Sequence, residues 1–143
     1  MKDVMLISPI LLLIALLAPP AFAEEGLGLD PSEGRVGRSG FTTGIDQREP
    51  IDEITSLRND VRKIIFFSEI RELTGQTVTH RWEYDGKVMA EIPFNIGGSI
   101  WRTWSSKNLL PGWLGVWKVS VLDPSGKTIG EKNFTYLEAD QAP

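Results

Sequence analysis

The 143-residue chain has no cysteine and only one histidine, His80. The first absence excludes disulfides, thiol nucleophiles, cysteine–zinc sites and thiol redox chemistry, so stability is expected to come from packing alone. The second leaves a metal site dependent on carboxylates converging on one imidazole, and no spacing in the chain points to that. No Asp-rich loop of EF-hand type occurs, and no Gly-x-Ser-x-Gly elbow presents a serine. Ser105 and Lys107 form S-x-K, not the S-x-x-K of serine–lysine acyl enzymes. Basic charge is not in excess either: 15 Lys and Arg against 19 Asp and Glu give a net charge of -4. That balance provides no electrostatic footprint for nucleic acid or an anionic membrane. Neither a cofactor nor a metal is expected.

A long apolar run occurs once, from Val4 to Ala18, after Lys2 and before Pro19, Pro20 and the Ala-x-Ala of Ala21 to Ala23. Its fifteen residues fall short of the roughly 20 needed to span hydrocarbon, and the cleavage pattern predicts a secretory signal peptide over 1–23. The mature chain is then expected to be exported, in the periplasm or outside the cell, with no stable membrane insertion. Residues 24–40 are rich in Gly, Asp, Ser, Glu and Arg and read as a flexible leader. A single domain is expected over 41–143.

Within that domain, FTTGI (41–45) reads as a strand and KIIFFSEI (63–70) as a strand covered on both faces. Between them, Ile51, Ile54, Leu57 and Val61 recur at three- and four-residue steps and predict a short helical turn. TVTHRWEYDGKVMAEIPFNI (77–96) is a hairpin. A two-residue Asp85-Gly86 turn would set Val88, Ala90, Ile92 and Phe94 on the face of Arg81 and Glu83, so the apolar pattern favours a three-residue loop, Tyr84 to Gly86, with Glu83 opposite Lys87. His80 then faces Ala90. In SIWRTWSSK (99–107), Trp101 and Trp104 point to opposite faces, so one is expected to be partly exposed. GVWKVSVLD (115–123) puts Trp117, Val119 and Val121 inward, DPSG (123–126) is turn chemistry, and TIGEKNFTYLE (128–138) needs a bulge near Gly130 to bring Ile129 and Phe134 onto one face. Six or seven short strands at this spacing predict an all-β fold, an antiparallel immunoglobulin-like β-sandwich.

The segments GQTVTHRWEYDGKVMAEIPFNIGG, WRTWSSKNL and GVWKVSVLDPSG resemble the signature blocks of the bacterial family known as domain of unknown function 2914, from about Val36 to Leu137. The resemblance implies an exported protein, or a domain appended to membrane proteins, with no assigned reaction and no catalytic residues to carry across.

The candidate residues therefore come from the residues themselves. For His80 the expectation is a buried imidazole bonded to backbone or to the WSSK segment, with a catalytic or ligand role as the alternative; a serine triad would need Ser105 or Ser106 and an acid beside it. Glu83 and Glu91 are too far from any cleft, on an outward sheet face, to act as glycosidase carboxylates. Trp82 and Trp117 are expected in the core. Trp113, following Pro111-Gly112, is either a loop anchor or a recognition residue. Trp101, Arg102, Lys107 and Trp113 are the candidate binding residues, since an exposed ring beside a cation suits a protein hot spot or a sugar face. Trp104 stays a structural or site residue. The expected function is a non-catalytic exported module binding a protein or cell-envelope polymer. The alternatives are a carrier of a small ligand or oligosaccharide, and an envelope hydrolase.

Overall fold

β-branched and aromatic side chains at alternate positions build most of the strands of this protein, whose computed structural model describes residues 33–141. The expected signal peptide and residues 24–32 of the expected leader lie outside them. The strands are β1 (Arg35–Thr42), β2 (Ile45–Asp46), β3 (Glu49–Pro50), β4 (Ser56–Arg58), β5 (Lys63–Arg71), β6 (Thr77–Tyr84), β7 (Lys87–Asn95), β8 (Ile100–Asn108), β9 (Gly115–Leu122) and β10 (Thr128–Leu137), followed by a single 3-10 turn at Ala139–Gln141. Strands β1, β5 and β8 form one sheet in that order, and β4, β10, β9, β6 and β7 form a second. The short β2 and β3 pair with each other. All neighbours in the two large sheets are antiparallel except β4 and β10. The fold is thus the expected all-β sandwich, with seven long strands.

The core lies between the two sheets. Phe41, Ile64, Phe66 and Ile70 from the smaller sheet meet Val78, Trp82, Trp117, Val119, Val121, Phe134 and Tyr136 from the larger one. Tyr84, Trp117 and Phe134 stack in a row, with ring centroids 4.6 and 6.2 Å apart, and Phe41 meets Phe66, Trp82 and Phe134 at inclined angles. Full burial of each such side chain contributes about 1.5–3 kcal/mol relative to exposure, so two tryptophans and four other rings supply much of the stability that disulfides cannot.

Several expectations need correction. Strand β1 begins at Arg35, so the ordered domain takes in 35–40 of the expected leader. Its residues Arg35, Gly37, Arg38 and Ser39 carry little strand propensity; the β5 ladder supplies the pairing that holds them extended. The helical turn expected between Ile51 and Val61 is absent. Leu57 alone of the four periodic residues is buried, on β4, while Ile51 and Val61 are 59% and 39% exposed, so the helical spacing reported no buried face.

The β6–β7 hairpin turns on two residues, not three. Asp85 and Gly86 have φ values of 52° and 74°, the doubly left-handed conformation that matches strand twist, and Tyr84 pairs with Lys87. The extra residue required by the apolar pattern sits inside the ladder, as a bulge where Glu83 pairs with Val88 and Trp82 with Ala90. The faces of Ala90, Ile92 and Phe94 come out as expected, but Val88, expected inward with them, pairs with Glu83 and is exposed, His80 opposes Ile92 instead of Ala90, and Glu83 meets Lys118 on β9 at 3.9 Å instead of Lys87. In β10 the register shifts between Thr128 and Gly130, next to the glycine that marked it.

Candidate functional site

Inward-facing residues of β5, β6 and β8 meet at His80. Ser68 lies two positions from Phe66 and Ile70 on the inner face of β5, and Thr103 and Ser105 alternate with outward residues on β8. Ser68 Oγ is 2.8 Å from His80 Nε2 and Ser105 Oγ is 2.7 Å from Nδ1. Trp82 Nε1 donates to Ser105 Oγ at 3.0 Å, and Thr103 Oγ1 lies 2.7 Å from Ser68 Oγ. Phe66 and Phe94 close on the imidazole with inclined rings, centroids 4.9 and 4.7 Å away.

The indole has only a proton to give, which sets the direction of the chain. Ser105 accepts from Trp82 and donates to Nδ1; the imidazole proton on Nε2 goes to Ser68, Ser68 donates to Thr103, and Thr103 donates to the Ser68 carbonyl at 3.3 Å. The opposite direction would leave the buried Ser105 hydroxyl proton without an acceptor, so the network assigns the Nε2–H tautomer. Among the described residues no buried side-chain polar atom lacks a partner.

His80 is fully buried, and burial pushes its pKa down from 6.5 to about 3. A general base must reach a substrate proton and accept it near the working pH. This imidazole does neither: both nitrogens are engaged and no carboxylate touches the ring. The arrangement can tie one sheet to the other. It lacks the orienting acid of a triad, although the histidine and serine are in contact.

The candidate binding residues do not converge. Trp101 and Lys107, on the inward parity of β8, lie six residues of extended chain apart, roughly 20 Å. At one end Arg48 approaches the Trp101 ring at 5.8 Å. At the other, Lys107 lies 5.7 Å from Trp113, whose ring leans on Tyr84 and Trp117 and whose carbonyl accepts from Trp117 Nε1 at 3.0 Å. Trp113 is thus a half-buried anchor of its loop. Arg102 points outward and pairs with Glu49 at 3.2 Å. Trp82 and Trp117 are wholly buried, whereas Trp104 is 38% exposed on the outer face of β8.

Sequence reasoning passed over two regions. The first is an ion network on the outer face of the smaller sheet. Glu69 on β5 is 4% exposed and receives Arg71 at 2.7 Å and Arg38 at 3.0 Å; Arg38 also reaches Glu49, which reaches Arg102. Burial would raise the Glu69 pKa, and the Arg71 and Arg38 hydrogen bonds outweigh it, holding the carboxyl below its ordinary value. Glu49 is held down by Arg38 in the same way. The partners come from four elements, so no linear motif announces them.

The second is a half-open groove of about 520 Å³ beside β1, lined by Val36 to Phe41, Pro50, Asp52, Glu53 and Ile129 to Lys132. The Phe41 carbonyl accepts from Ile54 N–H at 2.9 Å, so it points away from β5. In an antiparallel ladder alternate residues direct their backbone groups to the same side, and Ser39 therefore presents its N–H and C=O to the groove. Asp52 is committed to the Thr42 and Thr43 hydroxyls and the Thr43 N–H; burial pushes its pKa up, and these bonds bring it below its ordinary value. Glu53, Glu131 and Lys132 remain exposed at the rim. A glycine-rich strand beginning in apparent leader sequence gave the only advance sign of this edge. Among the described residues no group of three or more His, Asp or Glu is placed to hold a metal, and no helix is long and apolar enough to cross a membrane.

The architecture defines a β-sandwich with a buried cross-sheet hydrogen-bond cluster and an open strand edge. Residues 75–136 match the family model described as "Protein of unknown function (DUF2914)", so the family resemblance holds over that stretch. The stretch contains His80, Trp82, Thr103, Ser105 and Trp117, while Ser68 and β1 precede it. No curated protein matches the chain. Among solved structures it is similar to the Pseudomonas fluorescens alkylpurine DNA glycosylase AlkC bound to DNA containing an abasic site analog, with 14% identity and a TM-score of 0.45. That match covers 73% of this chain and 30% of the glycosylase chain.

Proposed function

We propose that this is an exported, non-catalytic binding module that takes up an extended segment of another cell-envelope protein in the groove beside β1. The observation that carries the reading is the open edge at Ser39, whose backbone donor and acceptor face a groove of about 520 Å³, within the range of about 300–1,000 Å³ typical of ligand sites. An extended peptide can add to such an edge as a further strand, with main-chain bonds giving affinity and flanking side chains giving selectivity. Arg38 in the lining is bound to Glu49 and Glu69 and Asp52 to Thr42 and Thr43, which leaves Glu53 and Glu131 against Lys132, so the segment that fits carries a basic side chain. Phe41 is 2% exposed, so the groove offers no ring face for a sugar to stack on. The engaged, neutral His80 supports a non-catalytic role. The predicted signal peptide and the family resemblance support export, with the periplasm as the working compartment.

The test is photo-crosslinking in the periplasm from a probe at position 132, with a probe at the exposed Val116 as control. A protein adduct from 132, absent at 116 and lost in Ser39→Pro with unchanged melting temperature, is expected. Equal adducts from both positions, or an adduct that survives Ser39→Pro, would overturn the reading. A melting shift with envelope oligosaccharides and no adduct at 132 would move the function to a carrier.

A further inference from the structure

Sheet edges are sites where unpaired backbone invites another chain, and proteins blunt them with proline, bulges, charges or short strands. The two large sheets have four edge strands: β1, β8, β4 and β7. Strand β4 has three residues. Strand β7 carries a bulge, Pro93 and an exposed Glu91. Strand β1 has a register break between Val36 and Arg38 and is bridged at Phe41 by Ile54. Strand β8 has no proline, bulge or shortening, and its one edge-facing charge, Arg102, is already paired with Glu49. It runs nine residues, Ile100–Asn108, in unbroken register with β5, without proline.

Its free side can be read from its bonds. Leu109 N–H donates to Arg62 and the Ser99 carbonyl accepts from Glu72, so the odd-numbered residues of this run bond toward β5. By alternation, Ile100, Arg102, Trp104, Ser106 and Asn108 turn their backbone groups to the open side. Their side chains line the outer face, where Ile100 is 53% and Trp104 38% exposed.

We infer that β8 is a self-association edge, on which a second copy of this chain pairs antiparallel about a two-fold axis through Thr103. The strand is complementary to itself in that register. Arg102 of each copy falls opposite Trp104 of the other, and Ile100 opposite Ser106, every one of them a residue with edge-facing backbone. The two Arg–Trp pairs are cation–π contacts across adjacent strands. Glu49 holds Arg102 through Nε, which leaves its two Nη groups for the neighbour. The interface has the isologous form of a two-fold dimer, and it joins two three-stranded sheets into one of six. It is separate from the groove beside β1.

Sedimentation equilibrium of the full chain over a wide concentration range decides the matter. The expected result is a dimer that is lost in Ser106→Pro and in Trp104→Ala while the melting temperature of the monomer is kept. Proline at 106 removes only an edge-facing N–H, whereas Ser105→Pro removes one bonded to β5 and should unfold the domain. If Ser106→Pro itself fails to fold, Trp104→Ala and Arg102→Glu decide alone. A monomer at every concentration, or a dimer that survives these changes, would overturn the inference. Ser39→Pro should leave the dimer intact; a dimer lost in that variant would place self-association in the groove instead.

Discussion

Ser68 and Glu69 are neighbours on β5, yet they sit in opposite kinds of polar environment. Ser68 faces inward, into a chain of hydroxyls and one neutral imidazole from three strands. Glu69 faces outward, between Arg38 and Arg71, whose side chains are 45% and 37% exposed. The difference follows from solvation. Deep between two sheets an ion would keep no water, so the groups found there are uncharged and fully bonded. On the outer face the arginines retain part of their hydration, so a nearly buried carboxylate can stay ionised beside them.

The comparison breaks most visibly at His80. His80→Ala should cost about 3–5 kcal/mol in denaturant unfolding, since it leaves a cavity, takes the acceptor from the buried Ser105 hydroxyl and removes the donor to Ser68 Oγ. A loss under 1 kcal/mol would show that the cluster relaxes or admits water.

Acid titration follows. The imidazole titrates near 6.5 when unfolded and is held down to about 3 in the fold. The unfolded chain therefore binds the extra proton between those values, and the stability from a neutral His80 is full above 6.5 and falls as pH drops toward 3. Lowering the pH from 6.5 to 5 should remove about 1.6 kcal/mol, and the slope should vanish in His80→Gln. His80 is the sole histidine and carboxylates titrate lower, so this window reports on it.

A smaller change is expected outside. Glu69→Gln should destabilise by about 1–2 kcal/mol, because the two arginines lose a charged acceptor but stay near water. Salt sharpens the contrast: raising ionic strength should weaken the Glu69 network by less than about 1 kcal/mol while leaving the effect of His80→Ala unchanged. Equal salt sensitivity of the two variants would mean that the interior cluster is hydrated.

How far all this could be read beforehand depends on how local the cause is. The inward alternation of Trp117, Val119 and Val121 was legible, because burial of one sheet face leaves a period of two. The Asp123 turn was legible too: its carboxylate accepts from the backbone of Ser125 and Lys127. The hairpin shows the limit. Apolar parity required one extra residue, and nothing in the pattern distinguishes a longer loop from a bulge three residues further on. The helical spacing from Ile51 to Val61 misled because periodicity marks a face only if something covers it. His80 and WSSK could be linked in advance as a polar pair in an apolar context, whereas Ser68 could not, since its neighbours in KIIFFSEI speak only of packing. Glu69 and the Ser39 edge depend on contacts between distant elements.

One consequence of the His80 cluster reaches beyond the interior. In many exported sandwiches a covalent sulfur bridge beside a tryptophan fastens the two layers. Here an imidazole and three hydroxyls beside Trp82 occupy such a place, in a chain without thiols. Reductants cannot open that rivet and oxidants need not close it, so the domain should assemble identically on either side of a membrane.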